Sequence, residues 1–188
     1  MDILLSILIG LGLSAACGFR VFVPLFVMSL ASRADVGHLA LGPGFDWIGS
    51  TPALIAFGVA TVFEIAGYYI PWVDNLLDAV ATPTAVIAGI IVMASSVTDV
   101  SPFLKWTLAI LAGGGTSAAF QGITATVRQI SSFTTGGLGN PVVATVEAGG
   151  SALLSVLAIT LPVLAVLLVF GLLFFGIRKL LFRRPRTA

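Results

Sequence analysis

The sequence contains few charged residues, one cysteine and one histidine. Only 9% of its 188 residues are charged, against about 25% in an average soluble domain. The single Cys17 excludes an internal disulfide, and the single His38 has no second histidine or cysteine with which to form a zinc site. No histidine occupies a position from which it would activate Ser14 or Ser117 for nucleophilic hydrolysis. The sequence therefore predicts no metal site, no cofactor and no enzyme activity.

Apolar residues, in contrast, make up 58% of the chain. A helix needs about 20 apolar residues to cross the hydrocarbon core of a membrane. Candidate spans on that measure are residues 3–30, 52–70, 83–98, 104–127 and a long run at 141–181. The long run is about twice the length of one crossing, and Pro162 near its middle predicts a break. We therefore predict an all-α polytopic membrane protein with six spans, or five if the long run crosses once.

No polar block in the sequence is long enough for a separate soluble domain, so residues 1–188 are predicted to form one membrane domain. Five of the nine basic residues lie in a tail at 178–188. The positive-inside rule places this tail in the cytoplasm and, with six spans, places the N-terminus there as well. The nearest partner for a basic tail is anionic membrane lipid, and we do not expect nucleic-acid binding.

The segment at residues 71–82 has apolar and acidic residues on opposite faces of a helix. Trp72 and Leu76 lie on one face, and Asp74 and Asp78 lie on the other. The pattern predicts a short amphipathic helix at the membrane interface, before the span that follows. On this interpretation both aspartates are solvated.

Two stretches recur in the same order in both halves of the chain. Residues 12–16 (Gly-Leu-Ser-Ala-Ala) are similar to residues 115–119 (Gly-Thr-Ser-Ala-Ala). Farther along each half, an Ala-Thr-Val sequence precedes a glutamate, at residues 60–64 and at residues 144–147. The pattern predicts two three-span repeats that insert upside down relative to each other. Inverted repeats are typical of secondary transporters, whose site lies between the halves near the bilayer midplane. The predicted repeats are residues 1–100 and 101–182.

Three ionisable residues, Arg20, Glu64 and Glu147, are predicted to lie inside the spans. Charges inside a membrane are costly, and they usually mark a functional site. We expect the two glutamates to face each other across the repeat interface as proton or cation carriers, or else to fix helix packing through hydrogen bonds. Arg20 stays protonated, so we expect it to bind an anionic substrate or to form an internal pair with Glu64 or Glu147.

A run of small residues begins at Gly113 and continues to Ala119, followed by Gln121. Small residues let helix backbones approach closely, which is the simpler interpretation of this run. A break at the glycines would instead expose backbone amides to an anion within a cavity. We include Ser117 and Gln121 among the candidate site residues for that reason.

Residues 14–25 (Ser-Ala-Ala-Cys-Gly-Phe-Arg-Val-Phe-Val-Pro-Leu) resemble the small bacterial membrane family called domain of unknown function 4126. The resemblance continues through Glu64, residues 70–78 (Ile-Pro-Trp-Val-Asp-Asn-Leu-Leu-Asp), Gly113-Gly114-Gly115, Asn140-Pro141 and Glu147. It implies a multi-pass protein of the bacterial inner membrane and brings no settled activity with it. It also suggests that Asp74 and Asp78 have a role beyond solvation.

These observations favour a small secondary transporter, or a carrier of a lipid phosphate or another small anion, acting as a homo-oligomer such as a dimer. Proton exchange on a carboxylate would be coupled to movement of the anion bound by Arg20. This hypothesis predicts a water-accessible cavity lined by Arg20, Glu64 and Glu147. The alternative is a non-transporting membrane scaffold or assembly factor, which predicts internally paired charges and no cavity.

Overall fold

The computed structural model describes residues 2–181, which contain α-helices and no β-strand. The α-helices are α1 (Ile3–Cys17), α2 (Phe22–Ala34), α3 (Thr51–Gly67), α4 (Pro71–Ser96), α5 (Pro102–Leu108), α6 (Gly115–Thr135), α7 (Asn140–Thr160) and α8 (Pro162–Leu181). A 3-10 turn at Asp46–Gly49 precedes α3, and a π-helical segment at Ala109–Gly114 joins α5 to α6. The predicted all-α fold is confirmed.

The predicted first span is two antiparallel helices, α1 and α2, joined by a tight turn at residues 18–21. Before the turn, the Ser14 hydroxyl donates to the carbonyl oxygen of Gly89, in the middle of α4, at 3.0 Å. After the turn, Met28 lies beside Ser95 near the C-terminal end of α4, with 3.8 Å between its Sδ and the Ser95 hydroxyl. Thus α2 returns to the end of the bundle from which α1 came. The prediction of one continuous span was wrong because hydropathy does not report a reversal of direction.

The hairpin of α1 and α2 places α1 in the centre of the bundle, where it packs against α4, α6, α7 and α8. Ile9, Leu13 and Ala16 have no solvent exposure. Gly12 packs against α7, since a Cβ atom built on it would lie 2.7 Å from the Cβ of Ala158. The small residues of α1 therefore serve close helix packing.

The segment predicted as a separate interfacial helix is the first part of α4. This helix continues without interruption to Ser96 and contains Pro83 in its interior. A proline removes one helical hydrogen bond, but α4 packs along much of its length against α1, α6 and the π-helical segment, and this packing maintains the helix. As a result Asp74 and Asp78 lie one turn apart on one long helix.

The glycine run does not form a break, because Gly113 and Gly114 belong to the π-helical segment and Gly115 begins α6. A Cβ atom built on Gly113 would lie 2.6 Å from the carbonyl oxygen of Gly89. The Ser117 hydroxyl donates to the carbonyl oxygen of Ala85 at 2.6 Å. Close packing of α6 on α4 therefore accounts for this run, and the alternative of an anion-binding break is not observed in these residues.

Two helical segments, Leu76–Ser96 and Asn140–Thr160, are long and apolar enough to cross a membrane. Shorter apolar segments are Ile3–Cys17, Phe22–Ala34, Thr51–Gly67 and Pro162–Gly176. Large apolar side chains are exposed on the outer face of α8, including Val163, Leu167, Phe170, Phe174 and Phe175. Exposed apolar surface of this kind marks contact with a membrane or another protein, and together with the two long helices it indicates membrane association.

The break predicted at Pro162 is confirmed, since α7 ends at Thr160 and α8 begins at Pro162. From there α8 runs back along the bundle: Ala165 lies near Gly12 of α1, and Gly176 lies near Ile123 of α6. The beginning of α1 and the end of α8 therefore lie at opposite ends of the bundle. The α1–α2 hairpin adds a reversal that the count of six spans did not include, and the side of the membrane on which each terminus lies stays a prediction. Most of the basic tail, from residue 182 onward, lies outside the described residues.

The two similar stretches of small residues lie on helices α1 and α6, which both run antiparallel to α4. In α1, Ser14 contacts Gly89 of α4, and Gly10 lies beside Met93 farther along α4. In α6, Ser117 bonds to Ala85 of α4, and Arg128 reaches toward the beginning of that helix. Inverted repeats require matched helices to run in opposite directions. The matched helices α1 and α6 run in the same direction, whereas the glutamate helices run in opposite directions, because Glu64 ends α3 and Glu147 lies near the start of α7. The two inverted three-span repeats therefore stay a prediction.

Candidate functional site

Six ionisable side chains lie together where several helix ends meet inside the bundle. They are two arginines and four carboxylates, which we call the charge cluster: Arg20, Glu64, Asp74, Asp78, Arg128 and Glu147. All except Asp78 are buried. With every member ionised, the cluster has two positive and four negative charges, a net charge of −2.

Arg20 lies in the turn between α1 and α2, and its side chain is only 1% exposed. Its Nη2 atom donates to the carbonyl oxygen of Ala144 at 3.0 Å and lies 3.1 Å from Oε2 of Glu147. Its Nε and Nη1 atoms are buried without a hydrogen-bond partner in the described part of the chain. Of the internal pairs expected for Arg20, the structure forms the one with Glu147.

Arg128, near the end of α6, is the most extensively bonded member of the cluster and was missed in the sequence. Its Nε donates to both carboxylate oxygens of Glu147 at 3.1 Å, and its Nη2 also bonds to Glu147. Its Nη1 bonds to Asp74 at 3.1 Å and to Asp78 at 2.9 Å. Arg128 lies one residue beyond the predicted span 104–127, so it was not among the charges expected inside the spans. A usable signal was its rarity, since only four basic residues precede the tail.

The ring of Tyr68, just after α3, lies against both guanidinium groups. The distance from the ring centroid to Cζ is 3.8 Å for Arg20 and 3.7 Å for Arg128. The electron-rich face of an aromatic ring attracts a cation, most strongly where water is excluded. Tyr68 therefore helps to hold two like charges close together.

The amphipathic pattern predicted that Asp74 and Asp78 are both solvated. In the structure Asp74 is buried and Asp78 is partly buried. Asp74 is 4% exposed and also accepts a hydrogen bond from Nδ2 of Asn140, on α7, at 3.0 Å. Because α4 is one continuous helix, the two aspartates lie on the face that packs toward Arg128. Their contacts with Arg128 of α6 and, for Asp74, with Asn140 of α7 are interactions beyond solvation, and a role in binding stays a prediction.

Glu64, in the last turn of α3, accepts hydrogen bonds from the first amides of α2. Its Oε1 accepts from the N–H of Val21 at 2.7 Å, and its Oε2 accepts from the N–H of Phe22 at 3.0 Å. The first N–H groups of a helix have no partner within the helix, and the positive end of the helix dipole favours an anion there. Among the described residues, no basic group lies within 4 Å of this carboxylate.

The structure brings five of the seven predicted site residues together, and it places Ser117 and Gln121 elsewhere. Ser117 is fully buried in the contact between α6 and α4. Gln121 is buried beside the hairpin turn, where its main-chain nitrogen would lie 3.0 Å from a Cβ atom built on Gly18. Both residues support helix packing, because the glycine run does not open into an anion site.

Two cavities meet at Tyr68. The first has a volume of about 610 Å³ and lies between the beginning of α2, the end of α3 and the beginning of α4. The second has a volume of about 380 Å³ and is lined by Asp74, Asn140 and the loop between α6 and α7. Glu64 lines the first cavity, whereas Arg20 and Glu147 line neither. The single cavity expected to contain all three residues is therefore not present among these two.

Both arginines of the charge cluster face carboxylates, and two donor nitrogens of Arg20 stay without a partner among the described residues. No group of His, Cys, Asp and Glu side chains within residues 2–181 has an arrangement that could bind a metal ion. The ionisable groups of the cluster are suited to proton exchange, ion pairing and hydrogen bonding.

No curated protein and no solved structure matches this chain. A family model, described as Domain of unknown function (DUF4126), matches residues 7–181. The match includes every member of the charge cluster and confirms the resemblance noted in the sequence. The chain therefore belongs to the DUF4126 family.

Proposed function

We propose that this protein is a small secondary transporter of the bacterial inner membrane, with proton exchange at the charge cluster. The observation that supports this most directly is Glu64. It is a buried carboxylate with no cationic partner within 4 Å among the described residues, and it lines a cavity of about 610 Å³. Intramembrane carboxylates of this kind are typical of proton relays in transporters.

The helical hairpin of α1 and α2 supports the same proposal. Its turn lies inside the bundle, where Glu64 binds the amides at the beginning of α2. Interrupted helices whose ends point at the site recur in secondary transporters, because the free backbone groups at those ends bind charged groups. Non-helical backbone at membrane depth is tolerated where protein surrounds it.

In this proposal five helical units cross the membrane: α3, α4, the continuous α5–α6 unit, α7 and α8. The α1–α2 hairpin enters the membrane and leaves it on the same side. The five crossings differ from the five-span alternative expected from the sequence, because residues 141–181 cross twice here and the α1–α2 hairpin does not cross. The basic residues after α8 orient that end toward the cytoplasm. The charge cluster then lies in the cytoplasmic half of the bundle, and the start of α1 faces the opposite side.

The second candidate is a non-transporting scaffold or assembly factor. It is supported by the pairing of Arg128 with three carboxylates and of Arg20 with Glu147, which would fix the packing of α4, α6 and α7. Under this hypothesis the exposed apolar surface, or the tail at 178–188, binds a partner protein or lipid. Movement of solute is not expected.

Everted membrane vesicles containing the protein provide the test. A pH gradient is imposed, and organic cations, organic anions and lipid phosphates are added in turn while a pH-sensitive dye reports the gradient. A transporter dissipates the gradient with one of these classes, and the variant Glu64→Gln loses that response. If no class has an effect while the protein is inserted and folded, transport is rejected and the scaffold hypothesis stands.

A further inference from the structure

The cavity beside Glu64 is apolar and has the dimensions of a small-molecule site. Of the fourteen described residues that line it, three have polar side chains: Glu64, Tyr68 and Thr84. The Thr84 hydroxyl is already bonded to the carbonyl oxygen of Val80 at 2.6 Å. Ligand sites typically have volumes of about 300–1,000 Å³ with apolar walls and a few polar groups that orient the ligand. At about 610 Å³ the cavity fits that description.

Glu64 determines which charge the cavity accepts. Three of the four carboxylates in the charge cluster are paired with an arginine, whereas Glu64 has no such partner in the part of the chain that the structure describes. Each of its oxygens accepts one amide hydrogen bond, and a carboxylate oxygen can accept a second. The net negative charge of the cluster favours a cation beside Glu64 and repels an anion.

Aromatic rings on the wall of the cavity suit the same kind of ligand. Phe22 and Phe63 both line it. The face of a phenylalanine ring attracts an organic cation, and the apolar remainder of the wall accepts a hydrophobic body. A hydrophobic organic cation satisfies both the carboxylate and the apolar surface, whereas a lipid acyl chain leaves the carboxylate without a counter-ion.

We propose that this cavity binds a hydrophobic organic cation, with Glu64 as its counter-ion and Phe22 and Phe63 against its apolar body. This inference deepens the proposed function by assigning a substrate class, and it differs from the anionic substrate expected from the sequence. The reason for the difference is tertiary: Arg20 and Arg128 face carboxylates, while Glu64 faces the cavity.

The test uses two probes of similar size and opposite charge, tetraphenylphosphonium and tetraphenylborate, with the full-length protein in detergent micelles. Equilibrium dialysis is expected to show saturable, one-site binding of the phosphonium and much weaker binding of the borate. Glu64→Gln is expected to weaken phosphonium binding by about ten- to a hundredfold, the effect of losing one buried charged contact. Asp99→Asn is the matched control, because Asp99 is exposed and far from the cavity.

Because Glu64 also caps α2, a second variant fills the cavity without changing that carboxylate. Ala60→Phe introduces a large side chain on the cavity wall and is expected to abolish phosphonium binding. Equal binding of both probes, or phosphonium binding that survives both variants, overturns the proposal. The proposal is also overturned if a phospholipid co-purifies with the protein, is not displaced by the phosphonium and is lost in the Ala60→Phe variant, because the cavity then binds lipid.

The binding test and the vesicle test have independent outcomes, so the binding site and the transport function can be rejected one without the other. Phosphonium binding without any flux in vesicles leaves the site in place and rejects the transporter. Flux of an anion in vesicles, with no phosphonium binding, leaves the transporter in place and rejects the cation site.

Discussion

The Oε1 atom of Glu64 accepts a hydrogen bond from the main-chain N–H of Val21 at 2.7 Å. These residues lie 43 positions apart in sequence, and the bond joins the end of α3 to the turn of the α1–α2 hairpin. A chain that reverses direction inside the bundle leaves amides exposed, and in an apolar environment each needs an acceptor. Glu64 supplies that acceptor and also lines the larger cavity, so folding and the proposed binding depend on the same side chain.

Replacing Glu64 by alanine removes the acceptor for the buried amide of Val21 and the partly buried amide of Phe22. We expect Glu64→Ala to lower the free energy of unfolding by about 1–3 kcal/mol, the cost of leaving buried donors unsatisfied. Glu64→Gln retains one acceptor oxygen, so it should lower the free energy of unfolding by less than the alanine substitution does. Thermal unfolding in detergent, followed by circular dichroism, measures both. An alanine variant as stable as the wild type would show that this cap is not needed.

Removing the Arg128 guanidinium leaves three carboxylates without their main partner. We expect Arg128→Met to lower the free energy of unfolding by about 3–5 kcal/mol, as is typical when one member of a buried ion pair is removed. The free energy of unfolding of Arg128→Lys should lie between those of the wild type and Arg128→Met, since an ammonium keeps the charge but cannot reproduce the planar set of donors. Arg33→Ala is the control, because Arg33 is exposed and bonds only near the surface. Equal unfolding temperatures for the Arg128 and Arg33 variants would contradict the expectation.

Tyr68 acts through its ring, which contacts both guanidinium groups. Tyr68→Phe keeps the ring and should leave the unfolding temperature close to that of the wild type. Tyr68→Leu removes both cation–ring contacts and should lower the free energy of unfolding by about 2 kcal/mol. The comparison is made by thermal unfolding in one detergent. A phenylalanine variant as unstable as the leucine variant would instead assign the role to the hydroxyl group.

Gly18 allows the hairpin turn to pack directly on α6. A Cβ atom built there would lie 2.6 Å from the carbonyl oxygen of Ser117. We expect Gly18→Ala to lower the free energy of unfolding by about 1–3 kcal/mol, because the backbone must move. Gly122→Ala, on the same helix α6 but with open space around it, should be neutral or stabilising by up to about 1 kcal/mol. If the two substitutions have equal effects, the turn does not pack as closely as described.

The direction of the helices predicts which loops share a side of the membrane. Val36, after α2, and Leu138, before α7, are both exposed and lie at opposite ends of the bundle. In intact cells, a membrane-impermeant maleimide should label Val36→Cys, whereas Leu138→Cys should react only after the membrane is opened. The native Cys17 is fully buried and should not react. Labelling of both introduced cysteines from one side would reject the proposed crossings.

The sequence by itself determined the features that depend on local composition. The density of apolar residues predicted an all-helical chain, and Pro162 predicted the break before α8, because a proline disrupts a helix wherever it is placed. The rarity of charge selected Arg20, Glu64 and Glu147, which do lie in one cluster. Each of these inferences depends on single residues or short segments, so no knowledge of distant neighbours was needed.

Only the tertiary structure decided which charges pair and where the chain reverses. Arg128 binds Asp74 across 54 positions, and such a contact depends on how helices pack, which the pattern within one helix does not encode. The apolar run through α1 and α2 has the same hydropathy whether it continues straight or folds back. The reversal at residues 18–21 depends on Glu64 from another helix, which supplies acceptors for the amides at the turn.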